Sequence, residues 1–136
     1  DFDSAEAEFH KMLGIARRSH AFDLMANAMA SLATIYGMQR KFDDSLHYAN
    51  ELKTLAKTHK IERWQMYVCT TLGNQFRRIG QFEQGLREYA AGLQIAYRLL
   101  DRRVIVETLE HLGETMDGHS PRITSRIKNF EPISFQ

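Results

Sequence analysis

Residues 68–89 read Val68-Cys69-Thr70-Thr71-Leu72-Gly73-Asn74-Gln75-Phe76-Arg77-Arg78-Ile79-Gly80-Gln81-Phe82-Glu83-Gln84-Gly85-Leu86-Arg87-Glu88-Tyr89. Val68, Leu72, Phe76 and Ile79 recur at helical spacing, so they form one apolar stripe. Gly80-Gln81 breaks that stripe. Phe82, Leu86 and Tyr89 then open a second one, which Leu93, Ile95 and Ala96 continue. The stretch predicts two antiparallel helices joined by a tight turn.

The same order stands earlier in the chain. Leu24, Ala28, Leu32, Ile35 and Tyr36 form a stripe that stops near Gly37. After Gln39-Arg40-Lys41 comes a second, of Phe42, Leu46, Ala49, Leu52, Leu55 and Ala56. The two copies lie 40 residues apart, and the register extends further. Phe2, Phe42 and Phe82 share one position, each followed by an acid. Ala16, Ala56 and Ala96 share another, and Leu32, Leu72 and Leu112 a third. Ala33, Gly73 and Gly113 come directly after those leucines. A fixed period of this size marks a repeat architecture, in which each unit buries its apolar face only by stacking on the next. The fold class read from this is all-α, a stack of about six or seven helices.

The boundaries follow from the register. A partial unit covers 1–20, whole units cover 21–60 and 61–100, a partial unit covers 101–118, and 119–136 forms a cap and a loose tail. Asp43 and Asp44, or Glu83, fall in the first turn of each second helix, and Lys57 and Lys60, or Arg98, near its end. Both placements complement the helix dipole. Asp101 is a candidate N-cap. After Gly118 the register decays. Ser120-Pro121 suits a helix start, and Ile123, Ile127 and Phe130 make a narrow stripe that reads as a last helix over 120–130, covering the end of the stack. Ser120-Pro121-Arg122 also has the form of a phosphorylation site, but the helix start accounts for the same residues. Asp1-Phe2-Asp3 matches the middle of a unit, which predicts that the chain is a piece of a longer array.

Composition excludes several classes. The 136 residues are 43% hydrophobic and 26% charged with a formal net charge of +1, so no nucleic-acid footprint is expected. One cysteine forms no internal disulfide. No apolar run has the length of a membrane span and no signal peptide opens the chain. The expected location is cytoplasmic.

With these residues in place, the chain resembles the tetratricopeptide repeat (TPR) family. That motif has a large apolar residue, then Leu-Gly or Leu-Ala, then an aromatic, a turn, an aromatic, a small residue and a further aromatic. Cys69, Leu72-Gly73, Phe76, Gly80, Phe82, Gly85 and Tyr89 follow this order. Met29, Leu32-Ala33, Tyr36, Phe42, Ser45 and Ala49 follow it more loosely. Phe2, Ala5, Phe9 and Met12 match the second half alone, and Leu109, Leu112-Gly113 and Met116 the first half. A 40-residue period exceeds the usual repeat and is similar to the extended variant of cell-polarity adaptors, kinesin light chains and bacterial peptide-sensing regulators. The physical logic of the motif is that Ala33, Gly73 and Gly113 lack bulk, so the partner helix approaches closely while aromatics fill the space between units.

The resemblance implies a superhelical stack whose first helices line a concave groove that holds a peptide. The groove slots carried over are Asn27, Ala30 and Thr34, then Tyr67, Thr70 and Asn74 with Arg77 and Arg78, then Glu107, Glu110 and Glu114. Each trio recurs at i, i+3 and i+7, so it shares one helix face. Asn74 can bond both polar groups of a peptide backbone. Arg77 can take a carboxylate through two hydrogen bonds, or else Arg77 and Arg78 pair with Glu110 or Glu114. Ala30 and Thr70 stand where a lysine would be needed to clamp a terminal carboxylate. The acidic third trio suits a ligand with basic character.

Glu107, His111 and Glu114 could share one face as metal ligands, but the second Glu-x-x-His motif of a di-metal bundle is missing. Cys69 reads as a packed, inert thiol. Trp64 departs from the stripe, either as an interface residue or as a lid on the preceding turn. No phosphate loop or zinc-protease motif occurs, so neither an enzyme nor a cofactor is expected. The sequence therefore points to a protein–protein interaction module with a protein or peptide partner. Its rivals are a self-associating structural segment and the peptide-sensing part of a bacterial regulator.

Overall fold

The computed structural model describes residues 1–117 as helices α1 (Phe2–Ser19), α2 (Phe22–Met38), α3 (Phe42–Thr58), α4 (Glu62–Arg78), α5 (Phe82–Leu99) and α6 (Arg102–Asp117). The fold is all-α, and no strand occurs among the described residues. Each helix packs against its neighbours in the chain, and α2 also touches α4. This is an all-α repeat stack. The helix expected over 120–130 lies outside the described residues.

The turns carry a rhythm finer than the 40-residue period. Positive φ occurs at His20, Arg40, Lys60, Gly80 and Leu100, one residue in every 20. Each turn closes with the same pair of hydrogen bonds. At the first, the His20 N–H donates to the Arg17 carbonyl and the Ala21 N–H to the Ala16 carbonyl, and the other four repeat the pattern. Two bonds of this kind around a left-handed residue form a Schellman closure, which satisfies helix-end carbonyls that would otherwise face no donor. The buried alanines 16, 56 and 96 accept the bond that spans five residues in three of the five turns.

Glycine fits this conformation without cost, yet only Gly80 uses it. Leu100 is 76% exposed at φ 56°, so its side chain gains little packing to offset the left-handed backbone. Leu100→Gly is expected to raise stability by about 0.5–1 kcal/mol, the relief of left-handed strain less the larger entropy of glycine in the unfolded chain. Thermal unfolding checks this, and a melting temperature at or below that of the parent contradicts it.

Helix starts are treated in two ways. The Asp1 carboxylate accepts from the Asp3 N–H at 3.1 Å, and Asp101 from the Val104 N–H at 3.2 Å, as the N-cap reading of Asp101 requires. The starts of α2, α3, α4 and α5 have no side-chain cap. Acids in their first turns (Asp23, Asp43 and Asp44, Glu62, Glu83) complement the dipole instead.

Two cores run through the stack. Leu13, Met29, Leu32, Tyr36, Leu52, Val68 and Leu72 belong to the first, with Trp64 partly buried against it. Met66, Leu86, Tyr89, Leu93, Val104, Ile105 and Leu112 belong to the second. Helix α4 contributes to both, which makes it the shared wall of the stack.

The small residues of the repeat mark the tightest crossings. At α2–α3 the Ser45 hydroxyl donates to the Ala33 carbonyl at 2.6 Å, with both residues fully buried. One period later a Cβ on Gly85 would stand 3.1 Å from the Gly73 carbonyl oxygen, and one on Gly73 would meet the Tyr89 ring at 2.5 Å. Gly113 shares the register, but beyond its own helix backbone and chain neighbours no described atom lies within 4 Å of where its Cβ would stand.

Candidate functional site

The expected groove residues sit on α2, α4 and α6, and the structure treats the three helices differently. Asn27 and Thr34 on α2 are exposed, and Ala30 is half-buried. The Thr34 hydroxyl donates back to the Ala30 carbonyl at 3.0 Å. Ala30, Ser31, Thr34 and Ile35, with Phe9 of α1, line a shallow depression. Among the described residues, no polar side-chain bond crosses from this face of α2 to α4.

The α4 and α6 faces are fastened together. Arg63 Nη1 donates to Asp101 at 3.1 Å, Arg103 Nη2 to the Tyr67 hydroxyl at 3.3 Å, and Arg77 Nη1 to Glu114 at 3.0 Å. Of the two readings of Arg77, the structure shows the ion pair with the next first helix. Arg78 goes elsewhere. It is exposed and lines a cavity with residues of α1, α2 and α3, because successive residues of a helix point about 100° apart. Thr70 donates to the Met66 carbonyl at 3.3 Å, and Glu107 and Glu110 are exposed.

Asn74 is already half engaged. Its Oδ1 accepts a 2.5 Å hydrogen bond from the Tyr89 hydroxyl, which leaves the amide nitrogen for a ligand. The Tyr89 ring is fully buried and stacks on His111 with centroids 5.7 Å apart and planes 14° off parallel. Burial pushes the Tyr89 phenol up to about 12, while Arg77 and Arg78 pull the other way. His111 Nδ1 is buried without a hydrogen-bond partner and lies 3.8 Å from Glu114. Asn74, Arg77, Tyr89, His111 and Glu114 thus form one polar cluster across three helices.

A second cluster escaped sequence reasoning. The Tyr36 hydroxyl donates to Glu6 at 2.6 Å and lies 2.9 Å from His10 Nε2. Its single proton is committed to the carboxylate, so His10 Nε2 carries the hydrogen on its side. The Tyr36 ring stacks on Tyr48 with centroids 5.8 Å apart, and His10 and His47 both meet Tyr48 edge-on. Burial first, then the bond to Glu6, raises the Tyr36 phenol well above its ordinary value. Beside it, Arg17 of α1 pairs with Glu51 of α3 at 2.7 Å. The signal available in the sequence was a tyrosine within the stripe, Tyr36, with His10, His47 and Tyr48 off it, a pattern too common to single out.

Gln75 is the other residue missed. It is 2% exposed, and its amide packs against Gly37 of α2, where a Cβ would overlap it. Its Oε1 has no partner among the described residues. Cys69 is buried, and desolvation pushes its thiol up to about 12, so it holds its proton at neutral pH.

Comparison with protein-family models, with curated proteins and with solved structures returns no match. What the chain's own geometry defines is a stack of antiparallel helices with polar, partly bridged faces on its first helices. No described helix is long and apolar enough to cross a membrane.

Proposed function

We propose that this chain is a TPR-like, cytoplasmic protein–protein interaction module that binds a peptide segment along α2, α4 and α6. The observation that carries the reading is the row of polar or half-exposed side chains on those helices, where burial would demand apolar ones: Asn27, Thr34, Tyr67, Thr70, Asn74, Glu107 and Glu110. The open face of α2 receives the first part of the peptide. Asn74 Nδ2 donates to a peptide carbonyl, and Tyr67 offers an apolar body with a polar tip. Arg77 and Glu114 exchange each other for the ligand. That exchange is inexpensive, because a solvent-accessible ion pair contributes only about 0.2–1 kcal/mol, and the Arg77 and Glu114 side chains are 25% and 65% exposed. The exposed acids of α6 favour a ligand with basic residues at that end.

The test is affinity capture from the native source with the parent and with an Asn74→Ala, Arg77→Ala variant, followed by titration of each captured partner. Loss of affinity by tenfold or more in the variant is the expected result. Partners that bind both proteins equally would move the site off this face. Self-association remains the second reading, because Val106 and Leu109 of α6 are 53% and 36% exposed. Sedimentation at several concentrations decides it without any ligand.

A further inference from the structure

A cavity of about 460 Å³ opens at the turn edge of the stack, and no residue of the Asn74–Glu114 cluster lines it. It is lined by Phe2 at the start of α1, by Gly37, Met38, Arg40 and Phe42 around the α2–α3 turn, and by Arg78 at the end of α4. Its volume falls in the range of sites that hold a small ligand or a side chain with its neighbours. Gly37 brings only backbone. The apolar lining is solvent-open, with Met38 58% and Phe2 43% exposed. Large apolar side chains so placed mark binding surfaces when they gather in one spot.

The charges at this cavity are equally unspent. Arg17, Arg63, Arg77 and Arg98 each have a carboxylate partner. Neither Arg40 nor Arg78 has one among the described residues, and both are exposed. Arg40 is held in the left-handed conformation by its turn, at φ 61°, which fixes where its side chain leaves the backbone. The start of α3, at Phe42, also borders this spot and has no side-chain cap. The acids Asp43 and Asp44 that follow are exposed and do not line the cavity.

We infer that this turn-edge cavity is a second binding site, which takes an acidic peptide segment carrying one aromatic residue. The aromatic ring enters between Phe2, Met38 and Phe42, where thioether and ring edges suit it. Carboxylates on either side of the ring pair with the guanidiniums of Arg40 and Arg78 through charge-assisted hydrogen bonds. The chemistry is opposite to that of the acidic α6 face, so one chain can hold two segments of different charge.

Fluorescence anisotropy with a labelled Asp-Glu-Trp-Glu-Asp peptide at low salt tests this on the whole chain. The expected result is saturable binding that weakens at least tenfold in Arg78→Glu and in Arg40→Gln. It should weaken several-fold in Met38→Ser and stay within twofold in Arg98→Glu, which makes the same charge reversal as Arg78→Glu elsewhere. Circular dichroism establishes that each variant is folded, and only folded variants enter the comparison. Any of the following results would overturn the inference. One is no binding by the parent at millimolar peptide. Another is equal binding of Lys-Lys-Trp-Lys-Lys or of Asp-Glu-Ala-Glu-Asp. A third is equal loss in Arg98→Glu and Arg78→Glu. Binding of free indole acetate as tight as the peptide would assign the cavity to small molecules instead and reject the peptide. An unchanged Asn74→Ala, Arg77→Ala variant keeps this outcome separate from that of the groove.

Discussion

Gly73→Leu is expected to lower the stability of this protein by about 3 kcal/mol, near the upper end for overpacking a filled core. Its melting temperature should fall by about 10 °C. The cause is specific. The first carbon added at position 73 meets the Tyr89 ring at 2.5 Å, and that ring has nowhere to go. It is fully buried, stacked on His111 and held by its hydroxyl to Asn74. Helix α5 must therefore move away from α4 as a body, although Gly85 and Gly92 also rest against α4. The companion experiment is Tyr89→Ala in both backgrounds. Alone it costs about 3–5 kcal/mol as an aromatic truncation. With Leu at 73 the two changes should offset by more than 1 kcal/mol, since each removes the other's conflict. Simple addition of the two losses would show that residue 73 does not face residue 89.

The second large effect is expected at Tyr36. Tyr36→Ala should cost about 3–4 kcal/mol, by the same cavity argument that governs buried aromatics. Tyr36→Phe should cost about 2 kcal/mol, because only the hydrogen bond to a charged carboxylate is lost. The ring is 7% exposed and belongs to the first core. Its hydroxyl binds Glu6 and His10, both on α1, so this one side chain ties the terminal helix to the rest. Amide hydrogen exchange gives the sharper readout. The α1 amides should lose protection in Tyr36→Phe while those of α4 and α5 keep theirs, the signature of local opening at an edge. Uniform loss across all helices would contradict a local tie.

Most of the helix layout was legible from the apolar stripes, because Leu32, Leu72, Ala16, Ala56 and Ala96 are buried for the same reason that they recur. The 20-residue rhythm of the turns was not legible. Glycine announces a left-handed residue at position 80, whereas His20, Arg40, Lys60 and Leu100 do not, and the Schellman closure imposes that conformation on them. The faces of the first helices were read by register, but which of their side chains pair with each other was not. Glu114 and Glu110 stand one helical turn apart, and both are within reach of an arginine in principle. Only the relative rotation of α4 and α6 selects Glu114. Gln75 was hidden for a different reason. It occupies the register of Ile35 and is just as buried, yet its residue type suggests solvent.

Five polar bonds between units have a similar reach. Arg17–Glu51, Lys53–Glu88, Arg103–Tyr67, Arg77–Glu114 and Arg63–Asp101 span 34, 35, 36, 37 and 38 residues. None ties one end of the chain to the other. A stack whose described helices are fastened only to near neighbours has low contact order, so it nucleates at any hairpin and folds quickly. Among the described residues it also has no keystone. Strain or a bound ligand at one hairpin decays along the stack, so two segments held at different places report to each other weakly unless they share a helix.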